Sequence, residues 1–172
     1  MIRHIRKSKL GVLFLAFLFV ANNSAANMKS NDIWGFITDI KISTPTLSIR
    51  NIDPFPLSLT LIKQNEYINF YQAPSLVLKD GSKISDIDVR LSKDQNDKNP
   101  FLSFTLQGQC ISLDTVKKYY PELRLTDVPR GRSQNEVTSH TTPADIHGQA
   151  VTFSFAEIRP DCLHRVVIAS QK

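Results

Sequence analysis

Apolar and polar residues take turns along most of this chain, and that alternation restricts it to sheet-based folds. Ile87, Val89 and Leu91 alternate with Asp86, Asp88 and Arg90, and Leu102, Phe104 and Leu106 with Ser103, Thr105 and Gln107. Val151, Phe153 and Phe155 alternate with Thr152 and Ser154, and Val166 and Ile168 come last. Shorter runs of the same kind are Ile40 and Ile42, Leu47 and Ile49, and Leu57, Leu59 and Leu61. Successive side chains of a strand point to opposite faces, so a period of two predicts strands with one buried face. Antiparallel sheets show this pattern because one face packs and the other meets water.

The turn residues agree. Asp80-Gly81 between Leu76–Lys79 and Ile84–Leu91 predicts a hairpin, because Gly accepts the positive φ such a turn demands. Asp53-Pro54 and Phe55-Pro56 punctuate the early strands, and Arg159-Pro160-Asp161 precedes the last. The polar run 94–100 reads as a surface loop or a seam between subdomains.

One segment changes period. Leu113, Val116 and Tyr120 lie three and four apart, with Ser112 placed to cap the first turn. Asp114 sits near the start and Lys117 and Lys118 near the end, each complementing the helix dipole. Pro121 stops it. A helix over about 112–120 is too short to stand alone and must pack on the sheet. The expected fold is α+β: a mainly antiparallel sheet with this one short helix, in a single disulfide-stapled domain. Residues 110–172 read as a module of helix, long loop and three strands. In element order, residues 110–170 resemble small envelope modules such as outer-membrane assembly lipoproteins and β-lactamase inhibitor proteins. The likeness rests on Ser112–Pro121 and the strands after it, and implies no site residue.

The N-terminus sets the compartment. Arg3, His4, Arg6, Lys7 and Lys9 precede an apolar run, Leu10–Ala21, and then Asn22-Asn23-Ser24-Ala25-Ala26. A basic start, a short apolar core and small residues at −3 and −1 of a cut after Ala26 describe a secretion signal. Residues 1–26 are therefore expected to be removed, leaving 27–172 as one secreted domain with no membrane anchor. Of the 21 basic residues, four lie in the leader, which leaves 17 against 16 acidic ones. The basic balance of the whole chain belongs to export, and no nucleic-acid partner is expected. Cys110 and Cys162, an even count in an oxidising compartment, are expected to pair; two free thiols, or one reactive thiol, is the alternative.

No motif announces catalysis. There is no Gly-x-Ser-x-Gly elbow, His-Glu-x-x-His pair or Gly-rich phosphate loop. His140 and His147 fall in or beside a turn, where exposure is the ordinary outcome. Asp161, Cys162 and His164 make too loose a cluster for zinc. Asp86 and Asp88 form an i, i+2 pair on one strand face. No catalytic residue, metal or cofactor is assigned.

Two stretches suit a binding surface. Residues 121–136 form a long connection carrying Arg124, Arg130 and Arg132 around Gly131. Long loops in compact domains are commonly functional, and arginine is frequent at interface hot spots. Trp34 and Phe55, if exposed, would add an aromatic patch. The expected function is that of a periplasmic binding protein, an inhibitor or immunity protein that blocks a toxin effector or cell-wall enzyme by contact. An envelope assembly or scaffold factor is the second expectation, and a secreted hydrolase the third.

Overall fold

A computed structural model describes residues 30–94 and 99–171; the expected leader, 1–26, lies outside the described residues. Among the described residues, nine strands form one antiparallel sheet and two short helices accompany it.

The chain enters through α1, Ile33–Ser43. Asp32 caps it, its Oδ1 accepting from the Gly35 N–H at 2.8 Å. Ile33, Phe36, Ile37 and Ile40 form its buried stripe, at the three-and-four spacing of one helix face. Ile40 and Ile42 therefore do not alternate on a strand. Ile40 is fully buried, whereas Ile42 on the outer side is 71% exposed. The longer stripe overrides the short alternation. Leu47 and Ile49 form no strand either: a 3-10 turn, Thr44–Thr46, leads into a loop in which only Ser48 and Asn51 make a bridge. Leu47, Phe55 and Leu57 drop from that loop into the core.

Four strands then wind back and forth: β1 Thr60–Gln64, β2 Ile68–Ala73, β4 Lys83–Ser92 and β5 Phe101–Gln107. The two-residue β3, Leu76–Val77, pairs with β4 across the expected Asp80-Gly81 turn. Residues 93–100 join β4 to β5, which are neighbours in the sheet. A second set follows: α2 Leu113–Tyr119, then β6 Arg124–Asp127, β7 Val137–Thr141, β8 Gln149–Ala156 and β9 Leu163–Ser170. The segment after α2 thus makes four strands, not three, because β6 lies inside the stretch read as a loop. The sheet order is β1-β2-β4-β5-β9-β8-β7-β6. With β3 set aside, it reads the same from either end: each half is a helix followed by a four-strand meander, and the last strands of the two halves, β5 and β9, pair at the centre.

Register assigns the faces. Leu102 opposes Ile168, Phe104 opposes Val166, and Phe153 opposes Val166 from the other side. These residues, with Val89, Leu91, Val151 and Phe155, form one hydrophobic cluster. Phe36 of α1 packs edge-on against Phe104, and Tyr120 beside α2 tilts onto Phe153. Both helices therefore cover the same face.

The other face carries short polar side chains: Ser85, Ser103, Thr105, Ser139, Thr141 and Ser154, each nearly buried. Asp86 and Asp88 do not share it as an even pair. A bulge sets Asp86 and Ile87 together opposite Phe104, with Asp86 at φ 50°, so Ile87 enters the core.

Cys110 and Cys162 form the expected disulfide, with Cα atoms 4.8 Å apart. It joins the approach to α2 to the start of β9, beside a backbone bond from the Leu163 N–H to the Ile111 carbonyl at 2.8 Å. Ser112 caps α2 as expected, accepting from the Thr115 N–H.

Candidate partner-binding surface

Strand periodicity builds the helix-free face. Five adjacent strands align two rows of side chains across it. One row runs Ser85, Thr105, Arg165, Ser154, Ser139, and the next Asp88, Ser103, Val167, Thr152, Thr141. Hydroxyls cross-link the second half of this array. Ser139 and Ser154 bond at 2.9 Å, Thr141 and Thr152 at 2.9 Å, and Thr126 reaches Thr141 at 2.8 Å. Satisfying these hydroxyls among themselves removes the cost of shielding them from water.

The first half of the same face is built differently. Arg90 spreads over the rings of Phe70 and Phe101, at 5.6 and 4.7 Å from their centroids, and pairs with Asp88 at 2.7 Å. Lys63 stands above the outer side of Phe70. The face therefore carries aromatic and cationic groups at one side, hydroxyls at the other, and Arg165 between them.

The Arg130 loop sits at the β6–β7 end of the sheet and is ordered by a single carboxylate. Glu136 accepts from four successive backbone N–H groups: Arg130 and Gly131 at one oxygen, Arg132 and Ser133 at the other. Desolvation would raise the Glu136 pKa, but these donors together hold it below the usual carboxylate range. Gly131, at φ 73°, permits the turn that brings the four donors together. With its backbone fixed this way, the loop leaves the side chains of Arg130 and Arg132 in solvent. Arg130 lies 4.0 Å from Asp127, an exposed contact of little energetic weight. A cleft of about 430 Å³ opens beside the loop, lined by Arg132, Gln134, Glu157 and Ile158 among others. Ile158, Leu125 and Val128 add exposed apolar surface at this end.

The other expected residues separate. Arg124 lies exposed on the edge strand β6, opposite Thr141. Phe55 is 5% exposed and belongs to the core, so it forms no recognition patch. Its neighbours Asp53, Pro54 and Pro56 mark a turn, but sequence gives no sign that the turn folds back under the sheet. Trp34 is half-buried and stacks on Tyr119 with centroids 4.0 Å apart, which ties α1 to α2. Arg165, Arg90 and the hydroxyl rows were not singled out from the sequence. Their signal was the polar half of the alternation, which states that a face is wet without stating which residues line up across it.

Among the described residues, no hydrogen bond joins a histidine side chain to a nucleophile. His147 is exposed in the β7–β8 turn, but His140 lies on β7, half-buried and edge-on to Phe155. Burial, and then the charge of Lys117, pushes the His140 imidazole below its ordinary pKa. Its Nδ1 has no hydrogen-bond partner to orient the ring. The cysteines are consumed by the disulfide. Among the described residues, no three His, Cys, Asp or Glu side chains gather to hold a metal, and no helix is long and apolar enough to cross a membrane.

Compared with protein families, curated proteins and solved structures, this chain matches none. The likeness of residues 110–170 to envelope modules thus rests on element order alone. The disulfide fits a secreted or extracellular protein.

Proposed function

We propose that this chain is a soluble periplasmic binding protein, exported by a leader cut after Ala26, that inhibits or confers immunity against a toxin effector or cell-wall enzyme by direct contact. One observation carries the reading: among the described residues the sheet is a single layer with both helices on one face, and the other face bears no described helix and is broad enough to meet a folded partner. The hydrophobic cluster takes its strand residues from the helix side, and the second face packs short hydroxyl side chains instead. Five strands spaced about 4.8 Å apart present a rigid platform roughly 20 Å wide, a scale suited to a standard protein interface. The Arg130–Arg132 loop borders it with two guanidinium groups on a backbone already fixed by Glu136, which lowers the ordering cost of binding.

Site-specific photo-crosslinking tests this. A crosslinking residue at Thr152, on the helix-free face, is expected to give one discrete protein adduct in envelope extract; one at Lys118, on the outer side of α2, is expected to give none. Arg130→Glu with Arg132→Glu is expected to lower the Thr152 adduct yield without lowering Tm. Equal adducts from both positions, or none from Thr152, would remove the face from the assignment.

A further inference from the structure

We infer that Arg165 is the anchor of the helix-free face and that it receives a carboxylate from an acidic protein surface. This rests on the reading of that face as a docking surface and adds the chemistry of what docks.

The placement of Arg165 carries the argument. It stands on β9, a central strand, in register with Thr105 on one side and Ser154 on the other. Its sequence neighbour Val166 is buried on the helix side, so the guanidinium projects from the other face. Every other residue of its row (Ser85, Thr105, Ser154 and Ser139) is a short hydroxylated side chain, 5–7% exposed. One long exposed cation therefore rises from a floor of short side chains, and a partner group can approach its planar fork from several directions.

Nothing within the described protein neutralises it. Among the described residues the Arg165 side chain makes no ion pair or hydrogen bond, whereas Asp88, the carboxylate in the adjacent row, is already engaged twice by Arg90, at 2.7 and 2.8 Å. Asp86 accepts from Ser85 beyond the end of the row. Lys83 on β4 and Arg124 on β6 are exposed towards the margins and likewise carry no ion pair. Asp86 stays charged, since a hydroxyl donor does not neutralise it, but Arg165, Lys83 and Arg124 outnumber it, so the charge without an ion pair here is positive on balance, although the chain beyond residue 26 is nearly balanced. The complement is an acidic surface. A guanidinium takes a carboxylate through two parallel N–H···O bonds. The hydroxyls of Thr105 and Ser103, on the neighbouring strand and without protein partners, stand beside it as further donors. The floor of short side chains favours a protruding acidic loop over a flat contact. A nucleic acid would be expected to meet a denser field of cations.

The test is an NMR titration of the exported chain with an end-capped tri-glutamate peptide, with tri-lysine and inorganic phosphate run separately. The tri-glutamate peptide is expected to shift the amides of Thr105, Ser154 and Arg165 saturably, and tri-lysine to leave them unmoved. Arg165→Gln should abolish the shifts, while Arg165→Lys should bind about tenfold more weakly because an ammonium lacks the fork. Three results overturn the inference: no shift at these amides, an undiminished shift in Arg165→Gln, or phosphate binding there more tightly than the peptide. The crosslink from Thr152 keeps this separate from the reading it rests on. If Arg165→Gln leaves that adduct at full yield, the anchor is wrong and the face stands.

Discussion

The half running from α1 to β5 and the half running from α2 to β9 share one plan and hold their helices by different means. α1 spans eleven residues and buries four large apolar side chains, Ile33, Phe36, Ile37 and Ile40. Full burial of such side chains is worth about 2 kcal/mol each, so packing alone can fix this helix. α2 spans seven residues and buries only Val116 completely. It compensates with a covalent tie before its first turn, Cys110–Cys162, and with Tyr119 and Tyr120 leaning on Trp34 and Phe153. The wet faces differ in the same sense. The first half stacks Arg90 on two rings, and the second links hydroxyls in rows. A repeated topology therefore constrains which elements pack together without fixing the chemistry that secures them.

The largest test of this contrast is Phe36→Ala. Phe36 is fully buried against Phe104, so its loss is expected to cost about 3–5 kcal/mol, read from chemical denaturation. Because β5 and β9 pair at the centre, both halves should lose stability together. A first half that unfolds alone would break the picture of one continuous sheet.

Replacing Cys110 and Cys162 together by Ser comes next. A loop with a sequence separation of 52 gives about 4 kcal/mol on the chain-entropy argument, and about 2–4 is the common outcome. Hydrogen exchange should accelerate at α2 amides more than at α1 amides. Equal acceleration would mean that α2 is held by packing, as α1 is.

The smallest effect concerns pH and belongs to the second half. His140 has a lowered folded-state pKa through burial and Lys117. The fold disfavours its proton, so its contribution is present above the unfolded value of about 6.5 and is lost as pH falls below it. Urea midpoints measured between pH 7.5 and 5.5 should decline, and His140→Gln should flatten that part of the slope. An unchanged slope would show that His140 is as well solvated as His147.

Much of this architecture is legible because strand alternation records a single buried face. The β4, β5, β8 and β9 segments, the Asp80-Gly81 turn, the α2 cap and the disulfide all follow from local spacing or compartment chemistry. The α1 stripe was present too, at residues 33, 36, 37 and 40, but a two-residue alternation at its end obscured it. β6 was hidden because an edge strand of four exposed residues has no buried face to write into its sequence. Phe55 failed as a surface candidate because burial depends on where a loop returns, which its neighbours do not state.

By itself, the sequence determined that a sheet would form and which apolar side chains of β4, β5, β8 and β9 would face the core, and it favoured pairing of the two cysteines. These are consequences of period and composition. Only the tertiary structure decided that the halves mirror one another about β5 and β9, that both helices cover one face, and that Glu136 would fasten the Arg130 loop. It also decided that Arg165 would stand among hydroxyls from neighbouring strands. Those facts depend on register between segments far apart in the chain, and register comes from the packing of the whole sheet.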